Sequence, residues 1–269
     1  MIARLLRIEN IVITYVSILI GGWIGTGIDL DINLILAGIA GAAAAGFGNI
    51  VNDIIDLPID KRNNPSRPLP SGAVSLRTAK ILALLFLSIS IMAGFKLQRL
   101  PFLLILGSLF LLYSYSRWIK LTPFSNIMVA ILATFCFLLG GLVTNTQGYL
   151  SLVPLSLCYH FGRELVKDII DIKGDRLYGS RSLAIILGEK KAGRAAIGSI
   201  VLFTILLPLP YCSRFVTIEY LYIVSPLVPI NILILRNIII RRFTAASTLM
   251  KYGMVVALLA VLLGSRHVF

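Results

Sequence analysis

The sequence predicts an all-α, polytopic membrane protein, a bundle of about nine transmembrane helices with cytoplasmic cap loops. Of its 269 residues, 58% are hydrophobic, and the mean hydropathy is +0.92. An ordinary soluble domain is roughly 45–50% apolar. Apolar segments of membrane-spanning length recur along the chain, and no polar stretch is long enough to fold by itself. We therefore expect residues 1–269 to form a single membrane-embedded domain.

The predicted spans are apolar stretches of about 17 to 25 residues. They are residues 11–28, 33–51, 79–95, 101–118, 124–144, 149–167, 192–211, 218–238 and 246–264. We expect the first to be a transmembrane helix and not a secretory signal, because no small-residue cleavage site follows a short apolar core. Pro208 and Pro210 are expected to kink or end the seventh span. The longest polar connections are predicted at residues 61–78 and 173–191.

The basic residues predict how the chain is oriented. If the N-terminus is cytoplasmic, all 25 Lys and Arg residues fall on the cytoplasmic side except Lys96, Arg99, Arg214 and Arg266, as the positive-inside rule requires. The C-terminus, SRHVF, then lies outside. This topology in the cell membrane explains the net charge of +13. Nucleic-acid binding does not, because the basic residues lie in short loops without aromatic interleaving.

Isolated cysteines and a histidine are interpreted as structural. Cys136, Cys158 and Cys212 are too far apart for a metal-site spacing and are expected to be small buried hydrophobic residues. His160 lies within the sixth span. We interpret it as a hydrogen-bonded core histidine in preference to a proton carrier.

Two aspartate-rich motifs stand at the cytoplasmic ends of the second and sixth spans. The first is NDIIDLPID, Asn52–Asp60, and the second is DIIDIKGD, Asp168–Asp175. At i, i+4 and i+8 in the first motif, and at i, i+3 and i+7 in the second, the polar side chains of a helix share one face. Solvated interfacial charges are the weaker interpretation, because acidic residues at membrane depth are costly.

These motifs hold six of the twelve acidic residues and are predicted to bind magnesium. Carboxylates brought together repel one another unless cations bind. Mg²⁺ prefers carboxylate, water and phosphate oxygens. The predicted metal-binding residues are Asn52, Asp53, Asp56, Asp60, Asp168, Asp171 and Asp175.

Basic residues around the motifs predict that the metal ions bind a diphosphate. Metal ions together with Lys and Arg stabilise the charge that develops when a diphosphate leaves. Taken singly, each basic residue is equally explained as a positive-inside anchor. The apolar helices would bind what the diphosphate is attached to, and a long isoprenoid fits. The predicted diphosphate-binding residues are Arg62, Arg67, Tyr115, Lys120, Arg163 and Lys167.

The motifs resemble those of the UbiA-type intramembrane prenyltransferases. The NDxxDxxxD motif of that family is complete at Asn52–Asp60, and RPLPSG follows at Arg67–Gly72. The second family motif, DxxDxxGD, is preceded by RELVK, and a YSxxxK stretch holds Tyr115 and Lys120. The resemblance covers nearly the whole chain. It implies a nine-helix bundle, Mg²⁺ as cofactor, and a prenyl diphosphate and a lipid as substrates.

Within the family, the residues around the motifs are most similar to those of the archaeal ether-lipid branch. That branch transfers a geranylgeranyl group from its diphosphate to geranylgeranylglyceryl phosphate. The early RIEN stretch resembles an R-P-x-N signature of the branch, with Ile8 in place of the proline. The resemblance implies acceptor binding by Arg7, Asn10 and Asn126. It also implies catalytic roles for the carboxylates of Asp56, Asp60, Asp171 and Asp175.

Several alternatives stay open. An aromatic prenyltransferase of the same family, acting on 4-hydroxybenzoate or a naphthoate, would differ only in its acceptor pocket. A CDP-alcohol phosphatidyltransferase is disfavoured, because the sequence lacks a DGxxAR stretch. A cation transporter or a non-catalytic lipid-binding protein would also use carboxylates in helices, although transport favours acids near the bilayer midplane. The oligomeric state is not predicted.

Overall fold

The computed structural model describes residues 1–24, 26–27, 31–177 and 179–265. Its helices are α1 (Ile2–Leu6), α2 (Ile8–Trp23), α3 (Ile32–Ile55), α4 (Leu57–Asn63), α5 (Leu76–Phe95), α6 (Arg99–Ser114), α7 (Ser125–Thr144), α8 (Val153–Leu177), α9 (Leu183–Leu206), α10 (Leu209–Cys212), α11 (Ile218–Val224), α12 (Leu227–Ile239) and α13 (Phe243–Gly264). A π-helix, Tyr115–Ile119, extends α6, and a 3₁₀ turn, Gly148–Ser151, precedes α8. The described residues contain no β-strand, which confirms the predicted all-α class.

Each predicted span corresponds to a helix or to two consecutive helices. Seven of these segments are long and apolar enough to cross a membrane, so the chain is a multi-pass membrane protein. The other two are α2, which is short at 16 residues, and α8, whose second half carries the charged motif. The seventh span breaks as predicted, because α9 ends at Leu206 and α10 begins after Pro208. A similar break before Leu227, at Pro226, divides the eighth.

The prediction of a loop at residues 173–191 is mostly wrong. Residues up to Leu177 continue α8, and α9 begins at Leu183, so most of the predicted loop is helical. Helix α9 is kinked at Gly188, whose φ of 74° is a conformation that glycine adopts without steric cost. The 61–78 connection begins as α4 and ends at Ser75. The Ser75 hydroxyl caps α5 by accepting a hydrogen bond from the Thr78 N–H.

Buried hydrophobic side chains form two main clusters. One joins α3, α5 and α6 with parts of α2 and α7, and the other joins α8, α9 and α11–α13. Helix α2 contributes to both, with Ile18 in the first cluster and Ile20 in the second. Helix α7 packs against α2 and α8. The space between the two clusters is therefore bordered by α2, α7 and α8.

Two of the structural interpretations are corrected here. Cys212 is exposed, and Cys136 and Cys158 are half-buried, so none of the three is fully buried as predicted. Cys212 lies in the short α10 after the proline break, where the chain leaves the bundle. His160 lines the internal cavities described below. No hydrogen bond holds it within the described part of the chain, which contradicts the expected bonded core histidine.

Glycines let α2 and α7 cross in close contact. A Cβ atom at Gly140 would lie 1.9 Å from the Ile18 carbonyl oxygen, and one at Gly21 would lie 2.4 Å from the Phe137 carbonyl oxygen. Both neighbours are backbone atoms, which cannot rotate away as side chains do. Small residues at such crossings permit close packing of membrane helices.

We predict that Gly140→Ala destabilises the bundle by about 1–3 kcal/mol, because the two helices must separate to admit the methyl group. Gly107→Ala is the matched control, since a Cβ atom there meets nothing within 4 Å. The control is expected to gain about 0.4–1 kcal/mol through the less flexible unfolded chain. Thermal unfolding in detergent measures both changes. A Gly140→Ala protein that unfolds at or above the wild-type temperature would contradict the close crossing.

Candidate active site

The first motif lies where α3 meets α4. Helix α3 ends at Ile55, and Asp56 is the single residue between the two helices. Pro58 occupies the first turn of α4, where a missing N–H is tolerated. The Asn52 side-chain amide still donates to the Asp56 carboxylate at 2.9 Å. The predicted shared face is therefore confirmed at these two residues, although the helix is interrupted.

The three aspartates of this motif are buried, and each is paired with a cation. Asp53, Asp56 and Asp60 are 5%, 6% and 4% exposed. The cations come from three separate parts of the chain, and burial of a carboxylate is tolerated only with such partners. Arg7 donates to the Asp53 carboxylate at 2.6 Å, Arg67 donates to Asp60 at 2.6 Å, and the Lys120 ammonium donates to Asp56.

The second motif is more open. Asp171 is exposed, and Asp168 and Asp175 are partly buried on the last turns of α8. The Asn126 side-chain amide, on α7, donates to the Asp168 carboxylate at 2.9 Å. Among the described side chains, no Lys or Arg forms an ion pair with these three aspartates. The second motif therefore keeps carboxylate oxygens accessible.

The two motifs face each other at one end of the bundle. Burial raises the pKa of the Asp175 carboxyl, which lies beyond the apolar part of α8. The charge of Asp171 raises this pKa further, Lys120 lowers it, and Asp56 of the first motif raises it. The Arg181 N–H also donates to the Leu121 carbonyl at 2.8 Å. This hydrogen bond joins the segment that follows the second motif to the residue that follows Lys120.

A π-helix brings Lys120 to this end of the bundle. It runs from Tyr115 to Ile119, and the Lys120 N–H closes it on the Tyr115 carbonyl at 2.9 Å. π-Helical turns are rare and frequently occur at functional sites. Tyr115, predicted to bind diphosphate, lines the cavity beneath the first motif.

The donor set fits Mg²⁺ chemically, since both motifs present carboxylates and Mg²⁺ takes oxygen ligands. Within the ranges that the structure describes, no group of three His, Cys, Asp or Glu side chains is arranged to hold a metal ion. The carboxylates of the first motif are turned toward Arg7, Arg67 and Lys120 instead. Asn52 and Lys120 both bind Oδ2 of Asp56, so the Oδ1 atom of this carboxylate has no side-chain partner among the described residues.

A cavity of about 330 Å³ lies beside the first motif, since its wall includes Arg7, the ion-pair partner of Asp53. Arg7 and Asn10, two of the predicted acceptor residues, lie on its wall, whereas Asn126 is engaged with Asp168. A smaller, largely apolar cavity of about 140 Å³ adjoins it. The residues common to both walls are Ile13, Thr14, Ala133, Cys136, His160 and Met254. The polar end of this space is thus continuous with an apolar interior.

Among the residues that the structure describes, neither Arg163 nor Lys167 forms an ion pair with an aspartate of either motif. Both bind the buried carboxylate of Glu164, Lys167 at 2.8 Å and Arg163 at 3.4 Å. Arg62, the remaining predicted diphosphate residue, is exposed and forms no ion pair within the described residues. The sequence analysis assigned no role to Glu164 or to Lys251, which also line the larger cavity. The position of Glu164 between Arg163 and Lys167 in RELVK was the available signal.

A membrane bundle with two neighbouring aspartate motifs beside a cavity that has an apolar interior is typical of an intramembrane enzyme for amphiphilic, anionic substrates. The family model described as UbiA prenyltransferase family matches residues 14–264. The chain belongs to this family and is a prenyltransferase. This membership confirms the family predicted from the motifs.

Relatives cover nearly the whole chain. A digeranylgeranylglyceryl phosphate synthase of Methanobrevibacter smithii is 31% identical, covering 97% of this chain and 96% of its own. A solved structure from work on digeranylgeranylglyceryl phosphate synthase in membranes is 30% identical, with a TM-score of 0.78 and coverage of 98% and 96%. A UbiA homolog from Archaeoglobus fulgidus bound to DMAPP and Mg²⁺ shares the fold at 20% identity, with a TM-score of 0.71 and coverage of 95% and 98%.

We predict that Lys120→Met lowers kcat by about 10²–10³-fold, the usual loss when one preorganised electrostatic group is removed. The Asp56 carboxylate would also lose its cation. Arg117→Met is the matched control, because Arg117 lies in the same π-helix but is exposed. Steady-state kinetics with a prenyl diphosphate measure both variants. Equal effects of the two substitutions would mean that Lys120 acts only as a surface charge.

Proposed function

We propose that this protein is a Mg²⁺-dependent synthase of an archaeal ether lipid. It transfers a geranylgeranyl group from geranylgeranyl diphosphate to geranylgeranylglyceryl phosphate, the activity for which its relatives are named. One structural observation carries the proposal. Two aspartate motifs, more than a hundred residues apart in the chain, come close enough for Asp56 to act on the charge of Asp175, beside a cavity whose wall includes Arg7, the partner of Asp53.

Aspartates of both motifs would hold Mg²⁺, which when bound neutralises charge on the departing diphosphate. The homolog from A. fulgidus bound to DMAPP and Mg²⁺ supports this assignment. In our proposal the ligands are Asn52, Asp53, Asp56, Asp60, Asp168, Asp171 and Asp175. Lys120 and Arg67 now neutralise Asp56 and Asp60 and would turn to the diphosphate oxygens of the donor. The same two cations would thus neutralise the aspartates before the substrate binds and the diphosphate afterwards.

The reaction proceeds by ionisation of the donor. The bond between the allylic carbon and the diphosphate oxygen breaks, and the diphosphate leaves with the electron pair. The free hydroxyl oxygen of the acceptor forms the new C–O bond and passes its proton to the departed diphosphate, which is a base. The apolar walls around Ile13, Ala133 and Met254 exclude water, which protects the allylic cation from hydrolysis.

The motif end of the bundle is proposed to face the cytoplasm. The basic residues support this orientation, since they lie overwhelmingly on the side that carries the motifs. The N-terminus would then be cytoplasmic and the C-terminus outside. A water-soluble diphosphate product would be released directly into the cytoplasm.

Product analysis tests the proposed reaction. Purified protein in detergent with Mg²⁺ and geranylgeranyl diphosphate receives either geranylgeranylglyceryl phosphate or 4-hydroxybenzoate as the acceptor. We expect mass spectrometry to detect a double-ether product from the glycerol phosphate and none from the benzoate. Prenylated benzoate as the sole product would instead place the chain in the aromatic branch of the family.

Alanine at Asp56 or at Asp171 is expected to abolish turnover, because each removes a proposed metal ligand from one of the motifs. EDTA should have the same effect on the wild type, and added Mg²⁺ should reverse it. The Asp31→Ala variant serves as the control, since Asp31 caps α3 through the Asn33 N–H outside both motifs. Size-exclusion chromatography checks that the variants fold. Near-normal turnover in either motif variant would contradict the metal assignment.

A further inference from the structure

We infer that Arg163, Lys167 and Lys251 form a separate binding site for the phosphate monoester of the lipid acceptor. The inference rests on the proposed function and names the part of the cavity that recognises the acceptor. In this assignment Arg163 and Lys167 serve the acceptor and not the donor diphosphate, as the sequence had suggested.

The cations of the site divide into two groups. Arg7, Arg67 and Lys120 are held by aspartates of the first motif. Arg163 and Lys167, on α8, are held by Glu164, and Lys251, on α13, by Glu9. No ion pair joins the second group to either aspartate motif within the described residues. The second group is therefore not engaged by the aspartate motifs, and a different anion can be its ligand.

The two helices that carry the second group are fixed against each other. The Tyr159 hydroxyl, on α8, donates to the Met250 carbonyl, on α13, at 2.7 Å. Lys251 follows Met250 directly, and Arg163 lies one turn beyond Tyr159. The side chains of Arg163, Lys167 and Lys251 all line the 330 Å³ cavity, so an anion within it can meet all three.

Positive charge exceeds negative charge on this part of the wall. Of the described residues that line the cavity, Glu164 alone carries a carboxylate, and it is shared by Arg163 and Lys167. The Nε–H of Arg163 is buried without a hydrogen-bond partner, which is costly for a cationic donor. A phosphate monoester carries roughly −1.5 to −2 charges at pH 7 and offers several acceptor oxygens. A benzoate offers a single negative charge and matches this wall less well.

Lys251 can exchange its partner at little cost. Its ion pair with Glu9 lies at the surface, where both side chains are exposed. Exposed ion pairs contribute little to stability because water and salt screen them. A phosphate dianion also binds a lysine more strongly than a screened carboxylate does.

The position of this wall suits the chemistry. The glycerol backbone of the acceptor is short. The free hydroxyl is therefore only a few bonds away from a phosphate that is bound at α8. Arg7 lies on the same cavity and pairs with Asp53 of the first motif. The acceptor hydroxyl is therefore kept within the cavity that opens at the donor site.

Binding measurements test the inference separately from the transfer reaction. Isothermal titration in detergent, without donor or Mg²⁺, compares geranylgeranylglyceryl phosphate with its dephosphorylated form, geranylgeranylglycerol. A separate titration with Mg²⁺ measures the affinity for geranylgeranyl diphosphate. The variants are Arg163→Gln and Lys251→Gln. Lys251→Gln guards against misfolding, because Lys251 is half-exposed. Lys80→Gln is the control, since Lys80 is exposed on α5 outside the cavity.

We expect the wild type and the control to bind the phosphorylated lipid at least about tenfold more tightly than the dephosphorylated lipid, as charge-assisted contacts predict. Each variant should lose most of this preference while its affinity for geranylgeranyl diphosphate stays unchanged. The inference would be overturned if the wild type bound the two lipids with equal affinity. It would also be overturned if the variants weakened only the binding of geranylgeranyl diphosphate. A wild type that shows the preference but forms no double-ether product would contradict the proposed function and leave the phosphate site established.

Discussion

Charge compensation around the first aspartate motif constrains the architecture of the whole site. Three buried carboxylates would be strongly unfavourable without partners, and each partner is delivered by a local departure from regular helix. Arg7 has a left-handed φ of 52° between α1 and α2, the loop after α4 carries Arg67, and a π-helix precedes Lys120. Left-handed backbone at a residue other than glycine costs of order 1–3 kcal/mol, which the ion pair with Asp53 helps to offset.

The two motifs differ in a way that matters for function. The first is buried and neutralised, whereas Asp171 of the second is exposed and its neighbours are only partly buried. A metal-bound diphosphate would approach the second motif from the open side and then draw Lys120 and Arg67 away from their aspartates. On the wall of the cavity, Arg163, Lys167 and Glu164 form a second charged group, joined by ion pairs of its own. In the proposed function, the cations that would bind the two anionic substrates are thus carried by different parts of the chain.

Much of this arrangement could be predicted from local sequence. Three features could be predicted because each depends only on residues that are close in sequence. They are the membrane-length apolar spans, the proline break near Pro208, and the shared face of Asn52 and Asp56. Pairings between distant residues could not be predicted, because Arg7 and Asp53 are 46 positions apart and nothing local distinguishes one arginine from another. The same limit applies to Arg163 and Lys167. Their proximity to the second motif in sequence suggested the diphosphate, but their side chains turn to Glu164. The helical continuation beyond residue 173 was missed because polar residues there resemble a loop.

The central claim is that the two motifs form one metal–diphosphate site. It is tested most directly by a crystal structure with Mn²⁺ in place of Mg²⁺ and a non-hydrolysable analogue of geranylgeranyl diphosphate, in which anomalous scattering locates the metal. We predict anomalous peaks between the carboxylates of Asp56 and Asp60 on one side and those of Asp168, Asp171 and Asp175 on the other, with the diphosphate between them. Metal bound by one motif alone, or a diphosphate held at Arg163 and Lys167 away from both motifs, would contradict it.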